Sequence, residues 1–291
     1  MILLLGATGY VGQEFTRQLT LQETPFIPFR RFDCDLREPD QFAKHLELHQ
    51  VSALINCIGY TGKPNVDACE AQKAECLAGN AVLPGMIAQA CKKVGIPWGH
   101  VSSGCIYTGK KKNGKGFNEN DQPNFSFRQN NCSYYSGTKA LGEEILADDD
   151  NCYIWRMRIP FSNIDSGRNY LSKLLRYEKL LEAENSLSNL TEFVHAALDC
   201  FVKRIPFGIY NLTNPGSIKT SEVTALINEL GVSSREFCFF DSEEEFMRLA
   251  AETPRSNCVL DTSKAFSAGL KMTEIKRSLR NSLENWVPEF R

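Results

Sequence analysis

The chain has 291 residues, of which 42% are hydrophobic and 23% charged, as in ordinary globular proteins. Its formal net charge of −2 gives no electrostatic reason to expect a nucleic acid or an anionic membrane as partner. The sequence holds no apolar run of about 18 residues, so we expect no transmembrane helix. The apolar start at Met1 lacks a basic flank, which favours a strand over a signal peptide.

The eleven cysteines are scattered along the chain and include no C-x-x-C pair. Disulfide frameworks are typical of small secreted chains, so we expect reduced thiols and a cytoplasmic protein. No spacing of cysteine and histidine indicates a zinc site. His45 and His49 lie one helical turn apart, and a polar helix face explains them better than a metal site.

Strands and helices alternate through the first half of the chain. Buried strands are predicted from MILLL, SALINCIG, PWGHVSSGCIY and CYIWRMRIPF, and helices from YVGQEFTRQLT, PDQFAKHLELHQ, AVLPGMIAQACKKVG and YYSGTKALGEEILA. This alternation predicts an α/β fold with a Rossmann-type, doubly wound parallel sheet. Beyond residue 161 the pattern loosens, with NYLSKLLRYEKLL predicted helical and GIYNLTNPG predicted to form a strand and a turn.

The segment LLLGATGYVG joins the first strand to the first helix. Its glycines, Gly6, Gly9 and Gly12, permit a tight turn and let a pyrophosphate approach the backbone. The helix N-terminus adds free N–H groups and the positive end of a dipole. We therefore expect a dinucleotide site here, with further contacts from Thr8, Tyr10, Val11, Asp35, Leu36, Cys57, Ile58, Gly59 and Arg158.

The second strand ends in Arg30 and Arg31. An acidic residue at this place favours NAD, whereas arginine accommodates the 2′-phosphate of NADP. The pair predicts NADPH as cofactor, with two arginines of a solvated loop as the alternative. We expect an NADP-binding domain over residues 1–160, with a return segment near 193–212. A smaller, mainly C-terminal α/β substrate-binding region is expected over 161–192 and 213–291.

Tyr135 and Lys139 stand in Y-x-x-x-K spacing at the start of a predicted helix, so both side chains point the same way. A free tyrosine has a pKa of about 10. A neighbouring ammonium is expected to lower it, which suits the phenol to exchange a proton with a carbonyl oxygen. Tyr134 competes for this role but has no lysine four residues on, and Ser103 ends an intervening strand.

In order and spacing, the glycine turn, Ser103, Tyr135 and Lys139 resemble the extended short-chain dehydrogenases/reductases. The resemblance implies that Ser103 orients a substrate carbonyl and that Tyr135 protonates its oxygen. It also implies that Lys139 tunes Tyr135 and binds the nicotinamide ribose.

Further blocks narrow the resemblance: GYTGKPNVDACE, SSGCIY, RNYLSKLLRYEK, GIYNLTNPG and PRSN. They are similar to the UDP-4-keto-6-deoxy-D-glucose 3,5-epimerase/4-keto-reductases, which complete UDP-L-rhamnose synthesis, and the similarity covers almost the whole chain. This implies a UDP-linked 4-keto-6-deoxy sugar as substrate, a separate 4,6-dehydratase that supplies it, and a homodimer. The departures are G-A-T-G for the usual G-K-T-G, Ser103 for threonine and Lys63 for arginine.

Cys105 stands two residues after Ser103, and residues two apart on a strand face the same side. The resemblance to GDP-fucose synthases implies that this cysteine moves a proton at a carbon beside the ketone. The UDP-rhamnose group pairs it with a lysine, placed here at Lys173. A thiol titrates at about 8.5, and we expect Lys173 and Lys139 to lower this pKa. The alternatives are buried filler for Cys105 and a solvated helix face for Lys173.

Arg255 and Asn169 are the candidates for binding the substrate phosphates, with a surface salt bridge as the alternative for Arg255. Lys63, Asn65 and Ser103 are the further expected substrate contacts. Two other functions stay open at this point. One is a monofunctional reductase or epimerase of dTDP- or GDP-linked 4-keto-6-deoxy sugars on the same scaffold. The other is a non-catalytic regulatory protein that retains NADP binding.

Overall fold

Six parallel strands form the central sheet of the computed structural model, which describes residues 1–63 and 65–288. The strands of this part of the chain are β1 (Ile2–Leu5), β2 (Phe26–Pro28), β3 (Ala53–Asn56), β4 (Trp98–Ser103), β5 (Cys152–Met157), β6 (Pro160–Phe161), β7 (Lys179–Leu180), β8 (Glu184–Asn185), β9 (Ser188–Asn189), β10 (Gly208–Asn211), β11 (Ile218–Lys219) and β12 (Cys238–Phe239).

The helices of the same residues are α1 (Tyr10–Leu21), α2 (Pro39–Leu48), α3 (Ala68–Ala71), α4 (Lys73–Leu77), α5 (Leu83–Val94), α6 (Tyr134–Ile145), α7 (Tyr170–Arg176), α8 (Leu190–Val202), α9 (Thr220–Glu229), α10 (Glu243–Ala250), α11 (Ser263–Ser267) and α12 (Ile275–Glu284). A π-helical segment, Ala78–Val82, joins α4 to α5, and a 3₁₀ turn, Gly104–Ile106, follows β4. No helix in the described residues is long and apolar enough to cross a bilayer.

The sheet runs in the order β10-β5-β4-β3-β1-β2, and every pairing in it is parallel. One apolar cluster, containing Phe15 of α1 and Phe193 of α8, covers one face, and a second, containing Phe42 of α2 and Ile87 of α5, covers the other. The sheet is therefore doubly wound. The chain reverses its direction of winding between β1 and β3, and in such sheets ligands bind outside the carboxyl ends of the strands at this point.

A third apolar cluster lies in the C-terminal half and draws on α7, α9 and α12, through residues such as Leu171, Val223 and Leu279. Three two-stranded pairings, β6–β9, β7–β12 and β8–β11, border it. Helix α8 packs on α1, and β10 completes the central sheet beside β5. After β5 the chain leaves the central sheet, and it returns to the sheet through residues 190–211. The proposed division into two regions therefore includes this return segment.

The segment predicted as one helix from Asn169 to Leu181 divides in the structure. Helix α7 ends at Arg176, and Lys179 and Leu180 form β7, which pairs in parallel with Cys238 and Phe239. The sequence pattern is helical up to this point, but pairing with a strand 59 positions further on displaces the last turn. Long-range contact thus overrides local preference.

Candidate active site

The glycine turn after β1 has the geometry that a dinucleotide needs. Gly6 has a φ of +73°, in the left-handed region. A Cβ on Gly12 would lie 2.1 Å from the carbonyl oxygen of Gly6, so only glycine lets helix and turn meet. Gly9 is the N-cap of α1, and because it has no side chain, none caps the first N–H groups of that helix. These donors stay available to a phosphate.

The residues after β2 separate into exposed and engaged groups. Arg30 and Arg31 are exposed, and no hydrogen bond or ion pair of either guanidinium occurs in the described residues. Asp35 accepts from Arg37, which lowers the pKa of that carboxyl to about 2. Leu36 lies in the apolar core. Among the predicted cofactor contacts after β2, the two arginines are therefore the cations available to a ligand.

The residues after β3 connect the glycine turn to the predicted catalytic lysine. Cys57 donates its backbone N–H to Leu5 and packs under Gly6. Ile58 donates to the side chain of Asn56 at 2.9 Å. A Cβ on Gly59 would lie 3.1 Å from Nζ of Lys139. The ammonium of Lys139 therefore lies against Gly59, on the side of the cleft where the nicotinamide is predicted to bind.

Ser103, Tyr135 and Lys139 meet at the carboxyl edge of the sheet. Ser103 is the last residue of β4, and α6 begins at Tyr134, capped by the Ser133 hydroxyl. Lys139 is 4% exposed, and its Nζ donates to the carbonyl of Val101 at 3.4 Å. Burial lowers the pKa of Lys139, partly offset by nearby Cys105 and Glu143.

The protein alone does not lower the pKa of Tyr135, contrary to the expectation from its neighbouring lysine. Burial raises the pKa of Tyr135, and the neighbouring Cys105 raises it further, while hydrogen bonding by Ser103 opposes the rise. The physical reason is that an apolar surrounding disfavours the phenolate more than the hydrogen bond favours it. Tyr135 is therefore a neutral phenol with a proton to give, as a general acid requires.

Cys105 joins this group by a different route from the one expected. Strand β4 ends at Ser103, so strand alternation does not place the two side chains. Instead the backbone N–H of Cys105 donates to Oγ of Ser103 at 3.2 Å, capping the 3₁₀ turn. The Cys105 side chain is 5% exposed and packs in an apolar cluster that Tyr135 borders.

Burial raises the pKa of the Cys105 thiol, against the expected lowering. Hydrogen bonds from Ser103 and Ser136 and the charges of Arg158 and Lys139 oppose the rise without reversing it. Desolvation of the thiolate is the larger effect. Cys105 is therefore a neutral thiol in the resting protein, and Arg158 is a neighbouring cation that the sequence pattern assigned to the cofactor.

Lys173 lies on α7, half-buried, in the C-terminal half. Burial lowers the pKa of its ammonium, and the nearby charge of Arg168 lowers it further. Arg168 in turn donates to the carbonyl of Gly62 at 3.1 Å, which ties the start of α7 to the loop after β3. Both effects make the neutral, proton-accepting form of Lys173 more accessible than that of a lysine in solvent.

The predicted substrate contacts have unequal freedom. Asn169 is 0% exposed, and its amide is fully used: it donates to Ser162 and Ile164 and accepts from Leu171 and Ser162. This corrects the predicted phosphate contact, because Asn169 caps α7 and has no hydrogen-bonding capacity left for a ligand. It positions Lys173 instead, whose backbone N–H bonds to the Asn169 carbonyl.

Arg255 forms a two-pronged ion pair with Asp67, with N–O distances of 2.6 and 2.7 Å and both side chains largely buried. Asn65 accepts from the backbone of Asp67 at 2.8 Å, and Lys63 is exposed beside it. Arg255 therefore forms a salt bridge, as the alternative to a phosphate contact predicted. This salt bridge is largely buried and joins the loop after β3 to the C-terminal half.

Asn80 is a site residue that was not predicted from the sequence. It lies in the π-helical segment, bonds both backbone groups of Tyr60 and donates to Thr138 at 3.1 Å, and its oxygen also lies over Gly59 beside Lys139. Arg158, predicted as a cofactor contact, donates to Asn185 and Ser256 of the C-terminal half. A π-helical segment has no sequence signal, and the partners of Arg158 are remote in the chain.

Fold and site together define a class of protein. A doubly wound sheet with a glycine turn after its first strand and a serine, tyrosine and lysine at its carboxyl edge is a short-chain dehydrogenase/reductase. Residues 1–287 match the RmlD substrate binding domain family, and the chain belongs to that family. The predicted membership of the extended short-chain dehydrogenases/reductases is confirmed.

Two plant relatives are similar in sequence. The chain is 32% identical over 282 residues to a bifunctional dTDP-4-dehydrorhamnose 3,5-epimerase/dTDP-4-dehydrorhamnose reductase from Arabidopsis thaliana, covering 95% of this chain and 90% of that one. It is 30% identical over 282 residues to a trifunctional UDP-glucose 4,6-dehydratase/UDP-4-keto-6-deoxy-D-glucose 3,5-epimerase/UDP-4-keto-L-rhamnose-reductase from the same plant. This second match covers 95% of this chain but only 40% of the relative.

Solved structures share the fold. A UDP-rhamnose synthase from Acanthamoeba polyphaga mimivirus superposes with a TM-score of 0.88 at 23% identity, over 98% of both chains. A dTDP-4-dehydrorhamnose reductase from Bacillus anthracis, solved in complex with NADP, gives a TM-score of 0.80 at 19% identity, over 98% of this chain and 97% of that one. The predicted Rossmann-type parallel sheet is thereby confirmed.

Proposed function

We propose that the chain converts UDP-4-keto-6-deoxy-D-glucose to UDP-L-rhamnose with NADPH, inverting C3 and C5 and then reducing C4. The observation that carries this proposal is the position of Cys105, which bonds Ser103 through its backbone N–H and packs in a cluster that Tyr135 borders. A reductase needs only Ser103, Tyr135 and Lys139, whereas inversion at carbon needs further proton carriers. The names of the two plant relatives support an epimerase/reductase, and the second of them names a UDP-linked sugar.

The residues of the cleft fit NADPH. Gly12 lets helix α1 pack closely on the glycine turn, and the uncapped N-terminus of α1 supplies donors to a pyrophosphate. Arg30 and Arg31 are free to hold a 2′-phosphate. A Michaelis constant for NADPH well below that for NADH is the expected result, and a clear NADH preference contradicts the role of the two arginines.

Reduction uses the oxygen of the 4-ketone. Bound NADPH supplies a hydride to C4. Ser103 orients the carbonyl, and the neutral Tyr135 donates its proton to O4 as negative charge develops there. Lys139 lies between the sheet and Gly59, where it holds the ribose and stabilises the phenolate that remains.

Epimerisation uses the acidified C–H bonds beside the ketone. Inversion removes a proton from one face of the sugar ring and returns one to the other, so it needs two carriers. Lys173, whose pKa is lowered by burial and by Arg168, is the proposed base, because the lowered pKa makes its neutral form more accessible. Cys105, whose pKa is raised by burial, is the proposed acid, because the raised pKa keeps its proton in place until the carbanion forms.

The substrate is a product of 4,6-dehydration, so a 4,6-dehydratase activity must supply it. Lys63 and Asn65 lie in the loop after β3, which Arg255 ties down through Asp67, and these groups are proposed to face the nucleotide end of the sugar. The uridine base rests on the resemblance to the UDP-rhamnose group. A homodimer in the cytoplasm is proposed on the same ground, and light scattering tests the dimer.

Two rivals are tested in one experiment. Purified protein is incubated with NADPH and, separately, with UDP-, dTDP- and GDP-linked 4-keto-6-deoxy sugars, and each product is identified by NMR. We expect UDP-L-rhamnose as the fastest-formed product. Faster turnover of a dTDP- or GDP-linked sugar supports the rival sugar-nucleotide specificity, and no turnover of any sugar supports the non-catalytic rival.

A further inference from the structure

Arg158 is a buried cation whose charge is not neutralised by an acid. It follows β5 and is 6% exposed. Its Nη2 donates to Oδ1 of Asn185 at 2.7 Å and to the carbonyl of Ser256. Its Nε is buried and has no hydrogen-bond partner, and no carboxylate pairs with the guanidinium within residues 1–63 and 65–288. Both of its partners are neutral.

Arg156, two residues earlier, is a buried arginine with a purely structural role, and it provides a comparison for Arg158. It is 2% exposed and bonds both carboxylate oxygens of Glu143, with Nη2 at 2.7 Å from Oε2. A buried charge without such a partner is costly. The same strand end therefore holds one neutralised guanidinium and one that lacks an anion.

The stem of Arg158 runs beside the residue that precedes Cys105. A Cβ on Gly104 would lie 3.5 Å from Cδ of Arg158, so the arginine stem passes along the backbone just before the thiol. Cys258 lies on the other side and donates to the carbonyl of Gly104 at 3.3 Å. The guanidinium favours the thiolate form at both cysteines.

We propose that Arg158 is a positioning residue for epimerisation, which holds the Cys105 thiolate that forms when this thiol gives its proton to the sugar carbon. The proposal rests on the function proposed above. In that step the S–H bond breaks and a C–H bond forms with the electron pair of the enediolate. Sulfur keeps the S–H pair as a thiolate beside the guanidinium and later regains a proton from solvent.

Other groups also face Cys105, namely Ser103, Tyr135, Ser136, Lys139, Cys69 and Cys132. Lys139 is the cation among them, beside Arg158 itself. Lys139 is already placed against the Val101 carbonyl and Gly59, and burial lowers its pKa. Lys139 thus belongs to the reduction site, and Arg158 is the neighbouring cation that is left to serve the thiol.

The test reads the thiol directly. Full-length wild type, Arg158→Met and the charge-preserving Arg158→Lys are alkylated with iodoacetamide from pH 6 to 10, and Cys105 and Cys258 are followed separately by peptide mass spectrometry. We expect Arg158→Met to alkylate Cys105 about 10-fold more slowly at pH 8, the effect of a one-unit rise in pKa. Arg158→Lys should stay within about threefold of wild type.

A wild-type profile at Cys105 in Arg158→Met, or a change confined to Cys258, overturns the proposal. Circular dichroism checks folding, and Arg158→Gln replaces the Met variant if that one is unfolded. Deuterium incorporation at C3 and C5 is measured in parallel and should fall more than reduction does. If wild type incorporates no deuterium, the proposed function fails, whereas the alkylation result still decides whether Arg158 supports the thiolate.

Discussion

The two proposed proton-handling centres are built in different ways. The oxygen centre, which is proposed to serve O4, consists of Ser103, Tyr135 and Lys139. All three come from β4 and α6 within the first 160 residues. The carbon centre, which is proposed to serve C3 and C5, consists of Cys105, Arg158 and Lys173. Its supporting hydrogen bonds come from Asn185 and Ser256 of the C-terminal half.

This difference indicates where each proposed activity depends on the fold. The residues of the oxygen centre lie on β4 and α6, whereas Arg158 of the carbon centre is held by hydrogen bonds to the C-terminal half. Substitutions that separate the two activities should therefore follow this division.

The largest effect is expected from Tyr135→Phe, which removes the acid of the oxygen centre. Loss of a general acid costs about 10²–10⁴-fold in rate, so formation of reduced sugar should fall by that factor. Exchange of the C3 and C5 hydrogens with D2O should continue, because Cys105 and Lys173 are intact. Parallel NADPH oxidation and NMR assays measure both activities. Retained reduction refutes the role of Tyr135.

Cys105→Ser should produce the opposite pattern. Deuterium incorporation should fall about 10²–10⁴-fold, since a serine hydroxyl is a far weaker acid than a thiol. Reduction of a 4-keto sugar supplied already in the L-rhamno configuration should continue. Lys173→Ala should lose exchange as well, and Lys173→Arg should not restore it, because an arginine does not deprotonate. Unchanged exchange in Cys105→Ser or Lys173→Ala rules out the epimerase assignment.

The next largest effect is expected in the free energy of unfolding, at the buried pair of Arg156 and Glu143. Glu143→Gln removes the partner of buried Arg156 and should lower the free energy of unfolding by about 3–5 kcal/mol. Glu144→Gln is the matched control on the same helix, since Glu144 pairs with Arg128 in solvent. It should cost no more than about 1 kcal/mol. Urea unfolding compares the two, and equal losses would contradict the contrast between buried and exposed pairs.

The smallest effect is expected at the Asp67–Arg255 pair. Burial alone would raise the pKa of Asp67, but the hydrogen bonds and charge of Arg255 outweigh it and lower the pKa. The pair therefore stabilises the fold at pH above about 4, the unfolded value, and this contribution is lost as pH falls through the lower folded pKa. Asp67→Asn should cost about 1 kcal/mol at pH 7. The difference from wild type should shrink towards pH 2, and a pH-independent difference would argue against it.

The oxygen centre was predictable because its information is local. The Y-x-x-x-K spacing fixes Tyr135 and Lys139 on one helix face, and the glycine turn adjoins its own strand. The protonation states were not predictable, because burial outweighs the charges that sequence spacing places near Tyr135 and Cys105.

The carbon centre was only half predictable, for a related reason. Arg158 meets Asn185 and Ser256, which lie 27 and 98 residues further along the chain. Arg255 meets Asp67 across 188 residues, and no spacing rule reaches that far. Asn169 could have been read correctly, since asparagine directly before a helix is a preferred N-cap.

One measurement tests the claim of two centres most directly. Wild-type protein is incubated in D2O with NADPH and UDP-4-keto-6-deoxy-D-glucose, and the product is analysed by NMR. We predict UDP-L-rhamnose with deuterium at C3 and C5 and protium from NADPH at C4. A reduced sugar that keeps protium at both C3 and C5 would contradict the account, because the oxygen centre would then be working alone.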